Sequence, residues 1–111
     1  MRNIETAGAV VSNDLKLLKA AASPVRLAVL EYLKHPAEHF PPQTDGDFDA
    51  DGVCADFIRD RLGISAATAS RHLTLLTEAG LLVATRKKGW TFYRRDEVAI
   101  RSFAQRLQSS L

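Results

Sequence analysis

A mainly α fold with one small β-hairpin is predicted by three features of this 111-residue chain. The first is a pair of helices joined by a tight turn between Val53 and Gly80. Leu62-Gly63-Ile64-Ser65 forms the turn: Gly63 can take φ > 0 and Ser65 can cap the second helix of the pair. Ala69, Leu73 and Leu76 then recur at helical spacing on one face. The second feature is a pair of strand-like runs, Leu81 to Thr85 and Trp90 to Arg94, around a basic turn. The third is the stripe Ile100, Phe103, Ala104, Leu107, an i, i+3, i+4, i+7 pattern.

In chain order, residues 1–11 have no period and are expected to fray. Ser12, Asn13 or Asp14 can cap a first helix from Leu15 to Ala21, whose apolar edge is Leu15, Leu18 and Ala22. Ser23-Pro24 restarts the chain as N-cap and first helical residue. The second helix runs to about Lys34 and buries Leu27, Leu30 and Leu33, with Ala28. From 35 to 52, three prolines, two glycines and aspartates at 45, 47, 49 and 51 predict a long solvated acidic loop. The third helix covers about Val53 to Arg61. The fourth covers Ala66 to Ala79 and stops at Gly80. Arg86-Lys87-Lys88-Gly89 is the turn of the hairpin, and Asp96 caps the last helix. The order is α-α-α-α-β-β-α, with no repeats and no second domain.

Composition narrows the function. The chain is 46% hydrophobic and 25% charged, ordinary for a soluble globular domain. No apolar run is long enough for a membrane span, and no secretory signal is expected at the N-terminus. One cysteine, Cys54, leaves no internal disulfide framework and fits a reducing, cytoplasmic setting. Net charge is only +2, but it is unevenly placed: residues 35–52 carry −5 and residues 53–95 carry +5. A polyanion suits the positive half, and the acidic segment is expected to lie elsewhere.

A helix-turn-helix followed by a basic-tipped hairpin is a winged helix-turn-helix. The chain here resembles the ArsR/SmtB family of small bacterial transcriptional repressors over about residues 15 to 105. The likeness is carried by Leu15 to Leu27 (LKLLKAAASPVRL), Ser65 to Leu73 (SAATASRHL), Leu76 to Leu81 (LTEAGL) and the wing Arg86 to Tyr93 (RKKGWTFY). The resemblance implies a homodimer that binds a double-stranded DNA operator. The terminal helices 12–22 and 96–109 are then expected to meet across a two-fold axis through Leu15, Leu18, Ile100, Phe103, Ala104 and Leu107.

Each candidate has a bland reading beside it. Ala67, Arg71, Thr74 and Glu78 point away from the apolar face of the fourth helix, with Thr68 and Ser70 on its flanks; Ser65, Ala67, Thr68, Ser70, Arg71 and Thr74 are the residues expected to face DNA. Short hydroxylic side chains permit close approach to DNA, and Arg71 can bond a guanine edge or a phosphate. The alternative, an ordinary surface helix, is disfavoured by the coincidence with the family motif. His72 flanks this face; it can touch phosphate, although packing with a satisfied ring nitrogen is favoured. Arg86, Lys87 and Lys88 are expected to reach the DNA backbone or minor groove, against the alternative of a solvated turn. Phe92 and Tyr93 are expected to pack the wing against the body.

No metal and no cofactor are expected. Arsenic- and cadmium-type members of the family carry Cys-x-Cys on the third helix. Aligned on Leu62, that pattern falls at Cys54 and Asp56, with a further thiol position at Arg59, so only Cys54 remains. Zinc-binding members use Asp and His on the last helix, and no histidine follows Asp96. Cys54 is a candidate redox switch through an intersubunit bridge, although a half-buried apolar role is favoured. Asp47 to Gly52 opens like a calcium loop, but its twelfth position is Ile58, where a glutamate is required. His35 and His39 are four apart, with Pro36 between them opposing a shared helix. The loop is read instead as acidic and solvated, or as a repulsive surface that helps orient DNA. No catalytic constellation appears, so an enzyme is not expected.

The expected function is a dimeric, sequence-specific repressor on a palindromic promoter site, released by a signal the sequence does not name. Two other readings compete: a metal or redox sensor acting through Cys54, and a winged-helix protein-interaction module that has lost DNA binding.

Overall fold

Ser23, Ser65 and Asp96 each accept a hydrogen bond from the backbone N–H three residues on, and each starts a helix. The computed structural model describes residues 14–111. The expected fraying of 1–11 and the caps at Ser12 and Asn13 lie outside the described residues. Helix α1 is described over residues 14–21. It is followed by α2 (Pro24–Tyr32), the single turn α3 (Pro36–His39), strand β1 (Val53–Cys54), α4 (Ala55–Leu62), α5 (Ala66–Glu78), β2 (Leu82–Lys87), β3 (Trp90–Arg95) and α6 (Glu97–Ser110). Gly63 (φ 67) and Gly80 (φ 84) end α4 and α5 where the sequence expects them.

Helix α5 is the centre of the packing and lies against α2, α4 and β2. Its apolar face, Ala69, Leu73 and Leu76, is at most 3% exposed. Leu73 and Leu76 join Val29, Leu33, Val53, Ile58, Leu81, Leu82 and Phe103 in one core. Burying each of the larger ones is worth about 1.5–3 kcal/mol. Two ties close the ends of the molecule. Arg95 donates to the Leu30 carbonyl, linking β3 to α2. Arg106 donates to Asp14 at 2.9 Å, linking α6 to α1.

The sheet has three strands rather than the two of the predicted hairpin. Val53 and Cys54 pair antiparallel with Tyr93 and Phe92, so β3 lies between β1 and β2. The third helix of the sequence reading therefore starts at Ala55, after a strand that long-range pairing creates. The wing strands are also longer than expected. Pairing runs out to Lys87 opposite Trp90, leaving Lys88 (φ 52) and Gly89 (φ 80) as the two-residue turn. Two positive φ values suit the right-handed twist of the strands, which is why so short a connection closes the hairpin.

Two burial expectations are corrected, one on α2 and one on α6. Leu27 is 54% exposed, while Val29 is fully buried and carries the core face of α2 with Leu33. Phe103 lies in the core of its own chain, with Ile100 and Leu107 packed against it, whereas Ala104 is exposed. Leu15 and Leu18 are 42% and 38% exposed. The acidic segment does not lie apart from the positive half: Asp45 and Asp51 pair with lysines of the wing.

Candidate nucleic-acid interface

The face of α5 opposite the core is built from Ser65, Ala67, Thr68, Ser70, Arg71 and Thr74, all exposed. Ser65 Oγ accepts from the Thr68 N–H at 3.2 Å and lies 2.9 Å from the Thr68 hydroxyl. The first turn is thus fixed by its own hydroxyls. Small side chains there leave the backbone close to the surface. Arg71 makes no ion pair among the described residues, so its guanidinium is available.

His72 is placed differently from these. Its Nδ1 lies 2.9 Å from Nη1 of Arg26. A guanidinium only donates, so Nδ1 accepts and the ring proton sits on Nε2. Burial, and then the charges of Arg26 and Arg71, hold the His72 pKa below its usual 6.5. The other nitrogens of Arg26 donate to the Ala20 and Lys19 carbonyls at the end of α1. Arg26 therefore locks α1, α2 and α5 together beneath the exposed face. Its sequence context gave no sign of that role, since His72 lies 46 residues away and the two carbonyls come within reach only where α1 turns into α2.

The wing carries the remaining candidates, and two of its cations are already paired with carboxylates. Lys87 bonds Asp51 at 3.2 Å, and Lys88 sits 3.6 Å from Asp45. Arg86 instead donates to the Thr91 hydroxyl across the hairpin at 3.2 Å. The loop that supplies these carboxylates is folded by Gln43, whose side chain donates to the Gly46 and Gly52 carbonyls and accepts from the Cys54 N–H at 2.7 Å. Gly52 (φ 102) passes so close to β3 that an added Cβ would fall 2.1 Å from the Tyr93 carbonyl oxygen.

The calcium-like pattern has a structural use. Asp47 accepts from the backbone of Asp49 and Ala50, and Asp51 accepts from the Asp47 N–H. That backbone bond, and then Lys87, lower the Asp51 pKa below its usual 3.8. His39 packs against Tyr32 with ring centroids 5.1 Å apart and the rings tilted by 49°. Cys54 is a free, buried thiol. Among the described residues, no group of three or more His, Cys, Asp or Glu is placed to hold a metal ion. No helix of the described residues is long and apolar enough to cross a membrane.

No protein-family model matches the chain. It is 39% identical to the uncharacterized HTH-type transcriptional regulator YbzH of Bacillus subtilis (strain 168), over 87% of this chain and 97% of that protein. Among solved structures it is similar to Mb0332 from Mycobacterium bovis, a homodimeric winged helix-turn-helix DNA-binding domain described as "a possible ArsR-family transcriptional regulator". That likeness has a TM-score of 0.65 at 25% identity and covers 94% of this chain and 83% of that one. HlyU from Vibrio cholerae matches with a TM-score of 0.59 at 26% identity, covering 87% of this chain and 92% of that one. NolR from Sinorhizobium fredii shares the fold, with a TM-score of 0.63 at 17% identity over 98% of this chain and 92% of that one.

Proposed function

The chain belongs to the ArsR-like winged helix-turn-helix transcriptional regulators, and from that premise we propose that it is a homodimeric repressor that occupies a palindromic promoter site until a signal releases it. One observation carries the reading: α5 buries Ala69, Leu73 and Leu76 and presents a small, hydroxylic face with one available guanidinium. Such a face can enter a major groove, where Arg71 reads a guanine edge or grips phosphate. Ser65, Ala67, Thr68, Ser70 and Thr74 line the approach, and Arg86, Lys87 and Lys88 serve the flanking backbone. His72 acts from beneath, by fixing α5 on Arg26.

The dimer is proposed from Leu15 and Leu18, exposed on α1, and from the homodimeric state of the Mycobacterium bovis domain. Two-fold symmetry sets the recognition helices about 34–36 Å apart and makes the operator an imperfect palindrome.

The test is a gel-shift titration on fragments selected from the source genome. Arg71→Ala weakens specific binding about tenfold or more, and the wild-type affinity falls steeply with salt. Unchanged specific binding by Arg71→Ala would sink the assignment of α5 as the reading helix.

A further inference from the structure

Under the acidic loop lies a cavity of about 190 Å3. Its walls come from three separate stretches of chain: Asp45 of the loop, Cys54, Asp56 and Phe57 around the start of α4, and Trp90 and Phe92 of β3. The lining therefore includes three aromatic rings and two carboxylates. Among the described residues, no lysine, arginine or histidine lines it.

That combination is selective. Aromatic walls favour an apolar body, and their faces attract a positive charge. An anion entering here meets two carboxylates whose cationic partners, Lys88 and Arg59, lie outside the lining. Among the described residues, neither Asp45 nor Asp56 accepts a hydrogen bond. Each has only a long ion pair, to Lys88 and Arg59, both at 3.6 Å. The Lys88 and Asp45 side chains are 67% and 42% exposed, so that pair is weak and exchangeable. The volume lies below the roughly 300–1,000 Å3 of sites for drug-sized ligands, which limits the occupant to a few heavy atoms.

We propose that this cavity binds a small organic cation, an amine or quaternary ammonium on a compact apolar body, which replaces Lys88 as the partner of Asp45. Trp90 is the residue after the hairpin turn, so the occupant touches the wing directly. Release of Lys88 toward DNA rests on the operator reading; binding itself does not, and it is measured without DNA.

Trp90 is the only tryptophan of the chain, so its fluorescence reports on the site. The full chain is titrated with choline, with benzylamine, and with dimethylbutanol, the uncharged isostere of choline. At least one cation gives a saturable change, and dimethylbutanol binds at least about tenfold more weakly than choline where choline is that cation. Calorimetry then compares two surface variants. Asp45→Asn weakens the cation about fivefold, while Lys88→Ala, which removes the competing ammonium, tightens it about threefold. Failure of both cations to saturate, equal binding of choline and dimethylbutanol, or equal affinities in the two variants overturns the proposal.

Discussion

At the scale of single residues, Arg26 and His72 show how a half-buried contact can support an exposed face. Three nitrogens of Arg26 are committed, two to carbonyls of α1 and one to His72. Removing them leaves two part-buried acceptors, the Ala20 carbonyl and His72 Nδ1, without donors, so Arg26→Ala costs about 1–3 kcal/mol by chemical denaturation. The His72 contact also has a definite pH dependence. Protonated Nδ1 would turn a donor toward a donor and set a third positive charge beside Arg26 and Arg71. The folded pKa therefore lies below 6.5 while the unfolded ring titrates at its usual value. Between the two, the unfolded chain binds the extra proton, so this contribution is complete above about 6.5 and is lost as pH falls through the folded pKa. Asp51 and Glu31, lowered from 3.8 and 4.5, respond at lower pH. The expected outcome is a loss of stability from pH 7 toward pH 5 that flattens in His72→Asn, which keeps an acceptor but cannot titrate. An unchanged slope in denaturation curves would refute this.

At the scale of elements, the loop and wing form one unit through Gln43, Gly52 and the lysine–aspartate pairs. Asp51 and Asp45 hold Lys87 and Lys88, so under the proposed reading a DNA phosphate has to displace these carboxylates to reach the wing. Asp45→Asn with Asp51→Asn preserves the turn acceptors and removes the competing charge. Non-specific DNA binding is expected to tighten about tenfold, with a salt slope steeper by up to about 2; filter binding across a salt series measures both. This unit was also the least legible part of the sequence. The caps at Ser23, Ser65 and Asp96 could be read because donor and acceptor lie three residues apart. The α5 face could be read because one helical period fixes it. Val53–Cys54 has strand form only because Tyr93 and Phe92 lie alongside, and nothing within two residues encodes that. Acidic composition indicated solvation, yet the bonds of Gln43 to Gly46, Gly52 and Cys54 fold the loop back beside the hairpin, where its aspartates meet the wing lysines. On α2, the leucines at 27, 30 and 33 and the pair Val29 and Leu33 define overlapping helical faces; packing against α5 selected the second.

At the scale of the whole molecule, the question is what the outer surface of α1 is for. Asp14 is 6% exposed and bonded to Arg106, so α1 and α6 are held together as one terminal layer. Phe103 has turned inward, leaving that layer an apolar surface smaller than the periodicity of α6 suggested. Leu15 and Leu18 remain outside, where a monomer gains nothing from them. In the proposed dimer they are buried, and the gain appears twice because a two-fold interface uses the same patch on both copies. Leu15→Arg with Leu18→Arg places like charges face to face across the axis without touching the core. The variant is expected to sediment as a monomer while keeping its helical circular dichroism, and its melt falls and no longer depends on protein concentration. Its operator affinity falls by about 10²–10⁴, because two tethered half-site contacts become one. Its residual non-specific binding persists, since α5 and the wing are intact. A double variant that stays dimeric by sedimentation would move the interface away from α1; one that is monomeric yet binds the full operator normally would show that reading a single half-site suffices.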